Sequence, residues 1–91
     1  MKRLLVVTLL SLAGCDQLAP TKWDAFVYPN RNDLTSHEML TGFDTLELCR
    51  SAAVTRMHKI EKRSGGDYEC GSRCKPAEGM PGMYQCDETL R

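Results

Sequence analysis

The stretch that decides the fold, Phe43–Gly66, reads FDTLELCRSAAVTRMHKIEKRSGG. Five apolar residues recur in it at spacings of three and four, which is the pattern of a helix with one buried face. They are Leu46, Cys49, Ala53, Met57 and Ile60. Asp44 is a favourable N-cap, and Glu47 follows three residues later, as in a capping box. Because the glycine pair at 65–66 ends the pattern, we predict a helix over about residues 45–63.

Three strand candidates lie on either side of this helix in the sequence. Residues 23–28, WDAFVY, are rich in aromatic and β-branched side chains, and Pro29 ends them. Residues 67–70 and 83–87 are two further candidates, joined by a Gly- and Pro-rich segment that we expect to form a broad hairpin loop. Residues 34–42 show no clear periodicity and are expected to be a loop with at most a helical turn.

The predicted fold class is therefore α+β. We expect a small antiparallel three-stranded sheet covered on one face by one helix, in the order β-α-β-β, and stabilised by disulfides. A domain this small buries a modest fraction of its surface and often depends on such cross-links.

The N-terminus has the three parts of a secretory signal. Lys2 and Arg3 precede an apolar run at 4–12, and small residues follow it. The run is shorter than the ~20 apolar residues of a transmembrane helix. Residues Leu12-Ala13-Gly14-Cys15 resemble the lipobox of bacterial lipoproteins, and the resemblance does not extend to residues 16–91. It implies cleavage before Cys15 and lipidation of that cysteine.

This resemblance divides the chain into a cleaved signal peptide, 1–14, a lipidated tether, 15–22, and a folded domain, 23–91. Lipoproteins of this kind carry three acyl chains, and two or more anchor a protein stably. Eight tether residues reach at most ~26–29 Å, so we expect the domain to lie close to the bilayer on its periplasmic side. In enteric bacteria an aspartate after the lipidated cysteine resembles an inner-membrane retention signal. Asp16 therefore favours the inner membrane, with the outer membrane as the alternative.

Lipidation of Cys15 leaves four cysteines in an oxidising compartment, which implies two disulfides. These are Cys49, Cys70, Cys74 and Cys86. Since Cys49 lies on the buried stripe of the helix, its partner should come from a strand beneath it. We favour the pairs Cys49–Cys70 and Cys74–Cys86. The alternative is Cys49–Cys86 with Cys70–Cys74, because spacing alone cannot select a pairing.

Several classes of function are disfavoured by the sequence. The 12 basic and 12 acidic side chains balance, and removal of Lys2 and Arg3 with the signal makes the remainder slightly acidic, which does not suggest a nucleic-acid partner. The C-x-x-x-C spacing at Cys70 and Cys74 differs by one from the redox motif C-x-x-C. The cysteines and the two histidines, His37 and His58, lack zinc-site spacing. We predict no catalytic residue, metal or cofactor.

The sequence leaves a binding or structural task as the favoured function. Trp23, Phe26 and Tyr28 are candidate binding residues, with burial in the core as the alternative. We expect a non-catalytic accessory of the bacterial envelope that holds an unidentified envelope protein near the membrane. One alternative is a thiol–disulfide or other small periplasmic enzyme. Another is an envelope inhibitor or exclusion factor of a mobile element.

Overall fold

The computed structural model describes residues 21–91, so the lipobox, Cys15 and all but the last two tether residues lie outside the described part of the chain. The elements are β1 Trp23–Tyr28, β2 Glu38–Phe43, α1 Leu46–Ile60, β3 Asp67–Ser72, β4 Lys75–Pro76, β5 Tyr84–Gln85 and β6 Glu88–Leu90. Four strands form one antiparallel sheet in the order β2-β1-β3-β6, and the two short strands β4 and β5 form a separate hairpin. The α+β class is confirmed, but the expected three-stranded sheet is wrong because the sheet has four strands.

The strand missing from the sequence prediction is β2, where we expected a loop. It pairs with β1, placing Leu40 opposite Ala25. A β-bulge interrupts the pairing, because Thr41 and Gly42 together lie opposite Asp24. Gly42 has a positive φ of 84° and donates its N–H to the Asp24 carboxylate at 3.1 Å. The bulge breaks the two-residue alternation that would have revealed a strand.

The predicted last strand, 83–87, is also different in the structure. Tyr84–Gln85 pairs with Lys75–Pro76 in the small hairpin, and Glu88–Leu90 pairs with β3 in the main sheet. The chain passes from one sheet to the other at Asp87, whose N–H donates to the Ser72 carbonyl at 2.9 Å. One predicted strand is therefore two short strands in different sheets.

Helix α1 begins one residue later than its sequence signals suggest. Thr45, not Asp44, is the N-cap, and its hydroxyl oxygen accepts the Leu48 N–H at 3.1 Å. Asp44 instead forms an exposed ion pair with Lys22. The helix ends at Ile60 because Glu61 has extended backbone, with φ −63° and ψ 143°.

The hydrophobic core lies between α1 and one face of the sheet. Ala25 and Val27 of β1 are fully buried against Cys49 and Ala53 of the helix and Cys70 of β3. Seven partly buried apolar side chains surround this centre; they are Trp23, Leu40, Phe43, Leu46, Met57, Ile60 and Tyr68. The core is small, which leaves much of its stabilisation to cross-links.

Two disulfides are present, and they join the pairs favoured from the sequence. Cys49–Cys70 connects α1 to β3 through the core, with 6.2 Å between the Cα atoms. Cys74–Cys86 joins the segments that carry β4 and β5. Gly71 of β3 lies directly under this second bridge, since a Cβ there would stand 2.7 Å from Cys74 Sγ. The disulfide-linked hairpin thus packs on the sheet face that the helix leaves open.

Within residues 21–91, no helix is both long enough and apolar enough to cross a membrane.

Candidate functional site

The three aromatic binding candidates do not share a surface in the structure. Trp23 packs around the core on the helix side of the sheet. Phe26 and Tyr28 point to the opposite face, as the alternation along β1 requires, and are only 4% and 7% exposed. The structure therefore brings Phe26 and Tyr28 together and leaves Trp23 apart from them.

Phe26 and Tyr28 form part of a small cavity of about 110 Å³, which we name the aromatic pocket. Its rings are Phe26, Tyr28, His37 and Tyr84, and its polar wall includes Glu69. The His37 ring centroid lies 5.6 Å from Phe26, 5.8 Å from Tyr28 and 6.2 Å from Tyr84, each at a steep interplanar angle. Tyr84 belongs to the disulfide-linked hairpin, so this hairpin closes the pocket over the sheet.

Two polar groups in the aromatic pocket have few partners. The Tyr28 hydroxyl donates to Glu69 Oε1 at 2.5 Å. Burial, followed by the hydrogen bond and charge of Glu69, raises the pKa of Tyr28 well above its usual value, so the phenol remains a donor. His37 Nδ1 is buried and has no hydrogen-bond partner among the described residues. Buried polar atoms of this kind call for an explanation, such as a water or a ligand.

A second surface, which we name the helix groove, runs along the outer side of α1 beside the end of β2. It has a volume of about 490 Å³ and is lined by Phe43, Leu48, Ser51, Ala52, Thr55, Arg56 and Lys59. Leu48 is 53% exposed, so much of its apolar side chain faces solvent in this groove. Apolar and small side chains thus occupy one end and the middle of the groove, and two basic residues occupy the other end.

The two basic residues of the helix groove differ in their partners. Arg56 holds Glu38 with two hydrogen bonds, Nε to Oε1 at 2.8 Å and Nη2 to Oε2 at 3.1 Å. This contact lowers the pKa of Glu38 and raises that of Arg56. Lys59 makes no ion pair with any residue from 21 to 91. Lys59 is therefore the cation of this groove that an incoming acidic group would meet.

The structure places the remaining predicted site residues as follows. Cys49 and Cys70 are completely buried, whereas Cys74 and Cys86 are partly accessible. Residues 21–91 contain no group of three or more His, Cys, Asp or Glu side chains arranged to hold a metal ion. Cys15 lies outside the described residues, so its lipidation stays a prediction.

Sequence analysis missed His37, Glu69 and Tyr84 as pocket residues. One signal was available for Glu69, since it neighbours Cys70 and must face away from the helix if Cys70 faces it. His37 and Tyr84 carried no such signal, because their positions depend on β2 and on the disulfide-linked hairpin.

Comparisons with protein families, with curated proteins and with solved structures found no match for this chain.

Proposed function

We propose that this protein is a lipid-anchored, non-catalytic accessory of the bacterial envelope that holds a protein partner close to the membrane. The helix groove is its docking surface, and the open and mostly apolar surface of that groove is the observation that carries the proposal. The resemblance of Leu12–Cys15 to a lipobox supports the anchor, and Asp16 favours the inner membrane.

The position of the helix groove suits a partner at the membrane. Trp23, the first residue of β1, pairs with Phe43, which lines the groove. The expected tether, 15–22, leads directly into Trp23 and spans at most ~26–29 Å. The groove therefore opens near the end of the domain at which the anchor would enter.

The shape of the groove favours a helix as the partner segment. Leu48, Ala52, Thr55 and Lys59 follow one another at helical spacing along about 16 Å of α1. Small side chains in the middle of such a stripe allow a second helix to approach closely. We expect an amphipathic helix with an apolar side chain against Leu48 and an acidic one near Lys59.

A thiol–disulfide enzyme is less well supported than this binding role. Exchange requires a thiolate or a disulfide that a partner can reach, and both Cys49 and Cys70 are 0% exposed. The Cys74–Cys86 bridge is partly accessible, but it packs on Gly71 and closes the hairpin, which is the role of a structural cross-link.

The docking test compares two apolar side chains of almost equal exposure. Leu48, in the groove, is 53% exposed, and Met80, in the hairpin loop, is 54% exposed. The full chain, expressed in bacteria, is cross-linked in membranes and its partners are quantified by mass spectrometry. We expect L48E to lose a specific partner that both the wild type and M80E retain. Equal recovery by all three chains, or no specific partner with the wild type, overturns the proposal.

The anchor is tested separately by mass spectrometry of the membrane fraction. We expect an N-terminal peptide that begins at acylated Cys15, and we expect C15S to leave the membrane fraction. Density-gradient separation of the two membranes tests the role of Asp16. An unmodified, soluble mature chain would show that the anchor is absent.

A further inference from the structure

The aromatic pocket carries an inference that is independent of the helix groove. We propose that this pocket binds a small methylated ammonium group, with Glu69 as its counter-charge and the surrounding rings as its walls. The site lies on the opposite face of the sheet from α1, so its ligand and the helical partner can be tested apart.

The first argument is the charge balance of the pocket. The only hydrogen bond that Glu69 accepts from residues 21–91 comes from the Tyr28 hydroxyl, although an ionised carboxylate has about four acceptor sites. Glu69 forms no ion pair with these residues, and no lysine or arginine is among those that line the pocket. The nearby carboxylate of Asp67 is already paired with Arg91. Since the Tyr28 hydroxyl leaves most acceptor sites of this partly buried carboxylate unused, a cation would be favoured here.

The second argument is the arrangement of the rings. A cation is attracted to the face of an aromatic ring within about 6 Å of its centroid. Phe26 and Tyr84 lie 5.7 Å apart at an interplanar angle of 45°, and His37 meets each of them at more than 70°. These three rings therefore stand at 45–77° to one another instead of forming a parallel stack. Walls of this kind, together with a carboxylate, are how proteins recognise quaternary ammonium groups.

The third argument concerns size and hydrogen bonding. The aromatic pocket holds about 110 Å³, which is less than the ~150 Å³ of a cavity that accepts benzene, so it would enclose only the ammonium head of a ligand and leave the rest outside. A metal such as Ca²⁺ needs six or more oxygen ligands, which this pocket does not supply. A methylated ammonium needs only charge compensation and apolar contact, which Glu69 and the rings provide.

The test compares choline with its neutral isostere, 3,3-dimethyl-1-butanol, which has the same shape and no charge. The full chain in a maltoside detergent is titrated with each compound and followed by NMR shifts of the pocket residues. We expect choline to bind at least tenfold more tightly than the neutral compound. Equal binding of the two compounds, or no binding of choline, overturns the proposal.

Two variants assign the effect to Glu69. E69Q keeps the size of the side chain and removes its charge, so we expect it to remove the preference for choline. E78Q removes an exposed carboxylate from the hairpin loop and should leave the preference unchanged. Thermal unfolding of both variants verifies that they are folded. If E69Q is folded and retains the preference, the assignment of Glu69 is wrong.

The methylated ammonium group could come from a free solute or from a lipid headgroup, and a second arm separates these sources. The chain is placed in nanodiscs of phosphatidylcholine or phosphatidylglycerol and titrated with choline. Weaker choline binding in phosphatidylcholine alone assigns the site to the lipid headgroup. Equal binding in both assigns it to a soluble ligand.

Discussion

Gly71 shows how a single residue position determines what covers the second face of the sheet. A side chain at this position of β3 would point away from the helix, into the Cys74–Cys86 bridge. Only the absence of a Cβ lets the disulfide approach the strand backbone. The hairpin that carries Tyr84 is held against the sheet by this contact, and the aromatic pocket depends on it.

We predict that G71A destabilises the domain by about 1–3 kcal/mol, because the new methyl group overpacks against the two sulfur atoms. Chemical denaturation of the purified chain measures this change in the free energy of unfolding. In a C74A/C86A background the same substitution should cost much less, because the sulfur atoms it meets are gone. Equal costs in the two backgrounds would contradict the proposed close contact.

At the residue scale, the sequence predicts what depends on one element and misses what depends on several. Cys49 is recognisable as a core residue from the helical stripe alone, and in the structure it pairs with Cys70 beneath that stripe. The aromatic pocket is different, because His37, Glu69 and Tyr84 come from three separated segments. They come together only because of the register of β2 and the path of the hairpin, and local sequence periodicity predicts neither.

At the scale of elements, two adjacent residues at the start of α1, Asp44 and Thr45, could each serve as its N-cap. Asp44 has the sequence features of an N-cap, yet Thr45 accepts the Leu48 N–H. The shift arises because β2 continues to Phe43 and Asp44 is paired with Lys22. The same strand explains why residues 34–42 were not expected in the sheet, since its bulge hides the alternation.

We predict that T45A lowers the free energy of unfolding by about 1 kcal/mol, the usual cost of losing an N-cap side chain. T45S should retain most of the stability because it keeps the hydroxyl group. D44A should change stability by no more than about 0.5 kcal/mol, since it removes only an exposed ion pair. Denaturant unfolding of the three variants measures these changes. A larger loss of unfolding free energy in D44A than in T45A would show that Asp44 is the N-cap.

The contact between β2 and α1 predicts a dependence on pH. Because the hydrogen bonds from Arg56 lower the pKa of Glu38 in the folded state, this contact stabilises the fold above the ordinary glutamate pKa of about 4.3. Its contribution is lost as the pH falls through the lower, folded-state pKa. In R56Q the pKa of Glu38 should rise toward its ordinary value, as measured by ¹³C NMR titration of the carboxyl carbon. R63Q alters an exposed arginine elsewhere and should leave that pKa where it is.

At the scale of the whole molecule, the two disulfides stabilise different layers of this small domain. Each face of the sheet has one covering layer; one bridge links the helix to the sheet, and the other lies within the hairpin. Cys49–Cys70 ties the helix to β3 inside the core, and Cys74–Cys86 closes the hairpin on the opposite face. The sequence predicts the first layer because the helix is strongly patterned. It predicts the hairpin loop and favours the Cys74–Cys86 bridge of the second layer, but it does not predict how this hairpin packs on the sheet, because the strands of the hairpin are only two residues long.

We predict that the two bridges are not equivalent in stability, although they close loops of similar length. Their cysteines are 21 and 12 residues apart in sequence, and loop-closure entropy alone would give each bridge about 3 kcal/mol. Removing Cys49 and Cys70 also empties space in the core, where both are fully buried, and this adds a cavity cost. A domain of this size has roughly 4–10 kcal/mol in total. We therefore expect C49A/C70A to be unfolded at 37 °C and to show no cooperative unfolding transition above that temperature.

C74A/C86A should remain folded in the same experiment, because the core between α1 and the sheet does not include this bridge. We expect a cooperative transition at a lower temperature by circular dichroism, with NMR line broadening confined to the hairpin and the aromatic pocket. Binding to the helix groove should persist in this variant, since the groove lies against the other layer. If C74A/C86A unfolds and C49A/C70A does not, the hairpin layer, and not the helix layer, is the one that sustains the fold.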